Sequence, residues 1–281
     1  DRDDCDLLDP LAGDWLRDRL TATRPDYVLH LAAKVGRQFG EEDPLRTIAD
    51  NVGMTTIIAR ACGETGTALA YASTSEIYGD LGEKIASERG PKKLPHNLYG
   101  LTKRFGEEVA ELYAPRGLVC LRFSMPYGPG HPPGRGRAAL TNILHQALHH
   151  QPIPVHLGAE RSWCWVGDTA RATRMILEAA FEQPRRFGGA WNVGRDDNAI
   201  LMRRVAEIAC LMTGAPLDLI LDVEPPNRQT VVKRLGTARL RDELGWRPEV
   251  ELADGMVRVL EYVRGFDEEG RPVGEETEIR R

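Results

Sequence analysis

Three short apolar segments, separated by two long helical patterns, constrain the fold of this chain more than any other feature. The segments are DYVLHLAA (26–33), TALAYAS (67–73) and GLVCLRF (117–123), and the helical patterns run over 44–62 and 98–114. Each segment is almost continuously apolar, which is typical of strands that are covered on both faces. Alternating strands and helices indicate βαβ units with right-handed crossovers. The sequence therefore predicts an α/β fold with a doubly wound parallel sheet.

The composition changes after about residue 124, where a stretch rich in Gly and Pro, MPYGPGHPPGRGR, begins. Such stretches are typical of loops. Helical patterns and short strands follow it, at 138–150, 168–182 and 200–213, in PIPVHL and in GAWNVG. The end of the chain is charged and interrupted by Gly and Pro, which disfavours a packed structure. We therefore predict three regions: a first domain at 1–124, a smaller mixed lobe at 125–266 and a flexible tail at 267–281.

The bulk composition excludes several classes of protein. With 281 residues, of which 42% are hydrophobic, the chain can bury a large core. Its net charge of −5 argues against a nucleic-acid partner, which requires a basic surface. Since no apolar run is as long as a membrane span and no signal peptide is recognisable, we expect no membrane partner. The five cysteines form no CxxC pair, which favours reduced thiols and a cytoplasmic protein.

Polar side chains follow the second predicted strand at the point where it ends. In ASTSEIYG (72–79), the hydroxyls of Ser73, Thr74 and Ser75 come directly before the carboxylate of Glu76. In parallel sheets of this kind, ligands bind at the carboxyl ends of the strands, often in a cleft between lobes. The run therefore predicts a ligand site at this edge of the sheet.

A tyrosine and a lysine lie near the start of the next predicted helix. Tyr99 and Lys103 are four residues apart, which places their Cβ atoms roughly 6 Å apart on one helix face. A cation beside a phenol lowers the pKa of the phenol, and a tyrosine tuned in this way can take a proton from a hydroxyl. Alone, the pair is also compatible with an exposed helix surface. Its position after the strand that ends in Thr74 favours the chemical interpretation.

The two faces of this helix differ in the size of their side chains. Gly106 and Ala110 continue the face of Tyr99 and Lys103, so that another element can approach it closely. We predict that the opposite face lies against the core, and it carries Leu101, Phe105, Val109 and Leu112.

Eight motifs occur in the order found in the extended short-chain dehydrogenases/reductases, and the chain resembles this family over nearly its whole length. They are DYVLHLAA, ADNVGMT with Asn51, ASTSEIYG, YGLTK, LRF…YGPG, RSWCWVGD, WNVG and ELGWRPEVELADG. The family comprises nucleotide-sugar epimerases, dehydratases and decarboxylases. The resemblance implies a Rossmann-like domain, an NAD cofactor, a nucleotide-sugar substrate, and a lyase or isomerase activity. It also implies a homodimer formed through the helices at 44–62 and 98–114.

The resemblance also implies roles for individual residues. Tyr99 matches the family's base, Lys103 the partner of that base and a ligand of the nicotinamide ribose, and Thr74 the hydroxyl that binds the reacting sugar oxygen. Further matches to cofactor-binding positions are Asp6, Leu7, Leu31, Ala32, Ala33 and Asn51. Arg161 and Arg234 match the basic residues that hold the diphosphate of the substrate, for which guanidinium groups are well suited.

Ser75 and Glu76 distinguish among the activities of the family. A simple 4-epimerase needs only the hydroxyl and the Tyr/Lys pair, whereas Thr-Ser-Glu resembles UDP-glucuronate decarboxylases and GDP-mannose 4,6-dehydratases. Both oxidise C4 of the sugar and then act at C5, where a carboxylate can serve as general acid or base. In the decarboxylases the arginine at the position of Arg161 also contributes. We favour a UDP-glucuronate decarboxylase, with a 4,6-dehydratase or a 4-epimerase as alternatives.

The chain departs from the family pattern at two places. It contains no G-x-x-G-x-x-G turn, the motif that cradles the pyrophosphate of the cofactor. We therefore expect the chain to be an incomplete copy of a longer enzyme, and the alternative is a non-catalytic protein on a degraded fold. The second departure is Met125, where the family usually has a substrate-contacting Asn.

The histidines suggest a metal site only superficially. His145 and His149 are four residues apart, with His150 and His156 nearby, but no carboxylate or cysteine completes a ligand set. We predict a solvated helix end and no metal.

Overall fold

A sheet of four parallel strands forms the centre of the computed structural model, which describes residues 6–9, 11–114, 116–134, 136, 138–197, 199–227 and 229–273, without the side chains of residues 37 and 39. The strands are β1 Tyr27–His30, β2 Ala68–Thr74, β3 Val119–Phe123, β4 Pro126–Tyr127, β5 Ile153–His156, β6 Glu160–Ser162, β7 Cys164–Trp165, β8 Gly189–Val193, β9 Ala199–Leu201, β10 Ile220–Val223 and β11 Val232–Lys233. The α-helices are α1 Ala12–Thr23, α2 Arg37–Glu42, α3 Pro44–Thr65, α4 Leu98–Tyr113, α5 Ala139–Leu148, α6 Val166–Glu182, α7 Pro184–Phe187, α8 Met202–Thr213, α9 Ala238–Leu244 and α10 Leu252–Val263. Short 3-10 turns lie at Ser75–Tyr78 and Leu217–Leu219.

The central sheet has the order β1-β2-β3-β8 and confirms the three predicted strands. Helices cover both of its faces. α3 and α4 pack on the face that buries Leu69 and Tyr71, and α6 packs on the face that buries Leu121 and Trp191. The doubly wound α/β architecture predicted from the sequence is therefore correct.

The strand predicted in GAWNVG does not belong to the smaller lobe. It is β8, which pairs with β3 in the central sheet, so that Leu121 lies opposite Trp191. The reason is its apolar content: Trp191 and Val193 are buried in the same cluster as the strands beside them. The division of the chain near residue 124 remains a prediction.

Side-chain caps and a glycine set the ends of α3 and α4. The side chain of Asp43 caps α3 by accepting a hydrogen bond from the Arg46 amide at 3.3 Å. α3 ends before Gly66, which has φ of 72° and so takes a left-handed conformation that suits glycine. The side chain of Asn97 caps α4 by accepting from the Gly100 amide at 2.8 Å.

The predicted orientation of α4 is wrong for three of its four apolar residues. Leu101, Phe105 and Leu112 are 42%, 50% and 71% exposed, whereas Val109 is buried as predicted. The opposite face is buried, because Gly106 lets the helix approach β2 so closely that a Cβ on Gly106 would lie 2.1 Å from the Tyr71 hydroxyl oxygen. Small side chains, and not large apolar ones, thus mark the packed face of this helix.

This contact predicts opposite effects for two glycine substitutions. Gly106→Ala should lower the free energy of unfolding by about 1–3 kcal/mol, because the added methyl group overpacks the α4–β2 contact. Gly53→Ala in α3 is the matched control, since its Cβ would meet only the Leu8 side chain at 3.8 Å. Removing a helical glycine there should stabilise the protein by roughly 0.5–1 kcal/mol. Urea denaturation measures both, and equal effects of the two substitutions would contradict the close approach.

His145 and His149 do not form a solvated helix end. The Nε2 atoms of His145 and His149 hydrogen-bond to the Asp267 and Phe266 carbonyl oxygens at 2.7 and 3.1 Å, and His145 is buried. The two rings thus hold the start of the C-terminal segment against α5. The amide of Val273 continues this attachment by donating to the Gly265 carbonyl at 2.8 Å. The rest of the predicted tail, 274–281, lies outside the described residues.

Three further predictions, on membrane spans, cysteines and metal sites, concern the chain as a whole. Among the described helices, none is long and apolar enough to cross a bilayer. The four described cysteines are buried free thiols, as predicted, and Cys5 lies outside the described residues. Within the described part of the chain, no three His, Cys, Asp or Glu side chains are grouped as a metal site would require.

Candidate active site

The hydroxyl run and the tyrosine meet at the carboxyl end of β2, as the sequence predicts. Thr74 is the last residue of β2, and its Oγ1 accepts a hydrogen bond from the Glu76 amide at 3.3 Å, which starts the 3-10 turn. The Thr74 side chain lies close enough to Tyr99 to lower the pKa of the Tyr99 hydroxyl. Tyr99 lies in the first turn of α4, so that strand, turn and helix bring the two hydroxyls together.

The predicted tuning of Tyr99 by Lys103 is wrong. Burial raises the pKa of Tyr99 well above its usual value, the negative charge of Glu76 raises it further, and only the hydrogen bond from Thr74 opposes them. The Lys103 ammonium instead lies over the ring of Tyr71, with Nζ 4.6 Å from the ring centroid. Burial lowers the pKa of Lys103 to about 8. Tyr99 is therefore a protonated phenol at neutral pH.

Glu76 has a partner that the sequence did not reveal. Its carboxylate forms an ion pair with the Lys233 ammonium and accepts a hydrogen bond from Asn97 Nδ2 at 3.2 Å. Burial acts to raise the pKa of Glu76, but the charge and hydrogen bond of Lys233, with Asn97, lower it overall. Glu76 is therefore ionised at neutral pH.

The position of Lys233 also corrects the expectation for its neighbour. Along a strand, successive side chains point to opposite sides, and β11 directs Lys233 towards the catalytic edge. Arg234, the residue after β11, binds the Glu160 carboxylate through two contacts of 2.6 and 3.0 Å and lines the same small cavity as Lys233. A substrate-binding role for Arg234 stays a prediction.

Arg161 lies near Glu76 but is held by the backbone. Its Nη2 donates to the Thr230 carbonyl at 3.0 Å, and its Nη1 donates to the Glu160 carbonyl at 2.7 Å. The side chain is buried, which lowers the pKa of Arg161, while the charge of Glu76 opposes that effect. Arg161 thus adds positive charge next to Glu76, and its predicted contact with a diphosphate stays a prediction.

The predicted cofactor residues lie around the loop that follows β1. Leu31, the first residue of that loop, is 58% exposed. Asn51 is buried: its Oδ1 accepts from the Lys34 amide at 2.7 Å, and its Nδ2 donates to Thr102 Oγ1 at 3.1 Å. Asn51 therefore ties the loop to α4, a positioning role that the motif did not indicate.

The remaining predicted cofactor residues lie in the same region or near the start of the described chain. Ala32 and Ala33 follow Leu31 in the loop. Asp6 Oδ1 accepts a hydrogen bond from the Leu8 amide at 3.0 Å, and Leu7 packs against the cluster under α3. Contacts between any of these residues and a cofactor stay predictions.

A small cavity of about 20 Å³ adjoins the 3-10 turn. Ser75, Ser124 and Lys233 line it, together with Lys84 and Arg234. Of the predicted residues, Ser75 is thus placed beside Lys233.

Met125, the second departure from the family pattern, has a left-handed backbone with φ of 40°. This conformation suits Asn better than Met. The Met125 side chain packs against the apolar cluster of the smaller lobe.

Comparisons with known proteins agree with this geometry. The chain is 26% identical to UDP-glucuronate 4-epimerase 6 of Arabidopsis thaliana. The alignment covers 85% of this chain and 55% of that protein. The chain is likewise 26% identical to a dTDP-glucose 4,6-dehydratase of Xanthomonas campestris, over 85% of this chain and 72% of the relative. The structure superposes on UDP-glucose 4-epimerase of Thermus thermophilus, a complex with NAD, with a TM-score of 0.78, 24% identity and coverage of 92% and 83% of the two chains.

A family model also matches more than half of the chain. Residues 2–194 match the model of the NAD dependent epimerase/dehydratase family. They contain the whole central sheet, Thr74, Glu76 and the Tyr99/Lys103 pair. The Thermus enzyme shares the Rossmann-like fold, so that sequence and structure agree. The chain therefore belongs to the NAD-dependent epimerase/dehydratase family.

Proposed function

We propose that this protein oxidises C4 of a nucleotide sugar and then acts at C5, with UDP-glucuronate decarboxylation as the leading reaction. The observation that carries the proposal is the ionised Glu76, which is paired with Lys233 next to Thr74 and Tyr99. A 4-epimerase needs no such carboxylate, because it acts at C4 alone. The similarity to UDP-glucuronate 4-epimerases supports a UDP-uronate as the first substrate to test.

The residues present fit the nicotinamide end of NAD. Lys103 is buried, and no carboxylate among the described residues forms an ion pair with it, so its ammonium can donate to a ribose hydroxyl. Tyr99 lies one helical turn before it, and the exposed loop at 31–33 lies at the same edge of the sheet. When bound, NAD would accept the hydride that leaves C4 and return it to C4 of the decarboxylated product, so that a UDP-pentose forms. No residues of this chain form the glycine turn that holds the pyrophosphate.

The chain's own residues supply the proton transfers of the proposed reaction. Thr74 binds the C4 oxygen, and the fraction of Tyr99 that is deprotonated, which rises with pH, takes the proton of the C4 hydroxyl. In a 4-keto uronate, the bond between C5 and the carboxylate breaks, CO2 leaves, and the electron pair moves into an enolate across C4 and C5. C5 then takes up a proton, which the Lys233 ammonium, paired with the ionised Glu76, is placed to deliver.

A 4,6-dehydratase is the second candidate. The lowered pKa of Glu76 leaves a free carboxylate, the form that can remove a proton from C5. Loss of the C6 hydroxyl as water would complete that elimination. The identity shared with the dTDP-glucose 4,6-dehydratase supports this candidate.

The proposal predicts the products of one incubation. Full-length protein with UDP-glucuronate and NAD should release CO2 and form a UDP-pentose, and Glu76→Gln should slow CO2 release by roughly 10- to 100-fold. Glu108→Gln, an exposed substitution on α4, is the control and should change nothing. Trapped CO2 and NMR spectra of the sugar products measure the outcome. Inversion at C4 alone would establish an epimerase instead, and water elimination from a UDP- or dTDP-hexose would establish the dehydratase.

We also propose that the protein is a homodimer through α3 and α4. The surface of these helices carries apolar side chains that the described chain leaves exposed, namely Leu45, Ile48, Leu101, Phe105 and Leu112. Apolar surface of this kind is typical of subunit interfaces.

A further inference from the structure

The side chain of Asn192 makes three hydrogen bonds in the interior of the protein. Asn192 belongs to β8 and is 0% exposed. Its Oδ1 accepts from the Tyr78 hydroxyl at 2.6 Å. Its Nδ2 donates to the carbonyl oxygens of Ala86 and Gly236, at 3.1 and 2.8 Å. The amide group therefore binds three chain segments, of which the one at Gly236 is far in sequence from the two at Tyr78 and Ala86.

Two of these segments carry the partners of the ion pair in the candidate site. Tyr78 ends the 3-10 turn, two residues after Glu76. Gly236 follows β11, three residues after Lys233. Asn192 thus connects the segment that bears the carboxylate to the segment that bears the ammonium.

The third contact strengthens the connection to the Lys233 segment. The amide of Ala86 donates to the Arg234 carbonyl at 2.8 Å, and the amide of Gly236 donates to the Ala86 carbonyl at 2.8 Å. Asn192 Nδ2 therefore binds both strands of a small backbone bridge. Because the bridge begins next to Lys233, the position of the bridge determines the position of the Lys233 backbone.

The Tyr78 side of the connection is equally restrained. The Tyr78 hydroxyl also accepts from Arg122 Nη1 at 2.9 Å, and Arg122 itself binds the Glu107 carboxylate. A buried polar group that loses its partner costs about 1–3 kcal/mol, so rearrangement of this cluster is unfavourable. The end of the turn is therefore held at one position relative to β8.

We propose that Asn192 is a positioning residue that holds the turn bearing Glu76 and the segment bearing Lys233 at the distance at which the two side chains form their ion pair. It does so through Tyr78 and Gly236 and does not touch the substrate. Its effect on the reaction rests on the proposed function, but its effect on the ion pair does not. Displacements of about 1 Å in a reacting site can cost 100-fold in rate, so even a small shift would be measurable.

Titration of Glu76 tests the proposal without any substrate. In full-length protein labelled with side-chain ¹³C-glutamate, the carboxyl signal of Glu76 is assigned by its loss in Glu76→Gln. Tyr78→Phe removes one hydroxyl and keeps the ring, and Asn192→Leu removes all three contacts. Either variant should raise the titration midpoint of Glu76 by about one pH unit, because the Lys233 charge moves away. Asn142→Leu is the matched control, since among the described residues that amide binds Gly134 through both its Oδ1 and its Nδ2, and it should leave the midpoint unchanged.

Tyr78→Phe and Asn192→Leu together ensure that the titration of Glu76 gives a decisive result. If Asn192→Leu does not fold, Tyr78→Phe alone decides, and its fold is checked by near-ultraviolet circular dichroism. An unchanged Glu76 midpoint in folded Tyr78→Phe overturns the proposal. A shifted midpoint supports it even if the protein turns out to release no CO2 from UDP-glucuronate, so that failure of the proposed function is recognised separately.

Discussion

Replacing Tyr99 with Phe should lower the rate of sugar oxidation at C4 by roughly 10²- to 10⁴-fold, the usual contribution of a positioned general base. The phenol oxygen is the group that receives the proton of the C4 hydroxyl, and Phe keeps the ring that fills this part of the site. Thr74 would remain at the end of β2, where its hydroxyl accepts from the Glu76 amide. Binding of the nucleotide sugar should therefore change little.

The formation of NADH and keto-sugar in a single turnover measures this step directly. Tyr113→Phe is the control, because Tyr113 is 41% exposed at the end of the same helix and should have no effect. The pH profile adds a second check: since burial and Glu76 raise the pKa of Tyr99, the oxidation rate should rise with pH through the neutral range. A Tyr99→Phe protein that oxidises C4 at the normal rate would exclude Tyr99 as the base.

Replacing Arg122 with Met should lower the free energy of unfolding by about 3–5 kcal/mol, because it leaves a buried carboxylate without its cation. The Arg122 guanidinium binds Glu107 with two contacts of 2.8 Å, and both side chains are buried. The Ser73 hydroxyl donates to the same carboxylate at 2.6 Å and cannot replace the lost charge. Lys92, with Nζ 3.9 Å from Glu107, offers only partial compensation.

The double substitution Arg122→Met/Glu107→Met separates the charge effect from packing. Removing both ions at once should restore most of the lost stability, since apolar replacements of buried pairs are often neutral. Chemical denaturation of the unsubstituted protein and the two variants provides the comparison. If the double variant is as unstable as Arg122→Met, the loss comes from packing under the sheet and not from an unpaired charge.

The elements that the sequence predicts correctly depend on local signals. Continuous apolar runs mark β1, β2 and β3, and the caps at Asp43 and Asn97 mark the helices that flank the site. Thr74, Glu76 and Tyr99 were predicted to meet because strands in a parallel sheet end at one edge. Their convergence needs only the order of the elements along the chain.

The errors have physical causes that are not local. The face of α4 was misjudged because hydrophobicity suggested Phe105, whereas the close contact of Gly106 with Tyr71 decided the packing. The pKa of Tyr99 depends on burial, which no pattern of neighbouring residues reports. Lys233 was missed because its partner Glu76 lies 157 residues earlier in the chain.

The same separation matters for anyone who recombines this chain with its relatives. Glu76 and Lys233 lie on opposite sides of a junction at residue 124, so a chimera made there would inherit its carboxylate from one parent and its ammonium from the other. A parent without a cation at the second position would leave Glu76 without its ion-pair partner. Exchanges between family members should therefore transfer the two positions together, as one unit of inheritance.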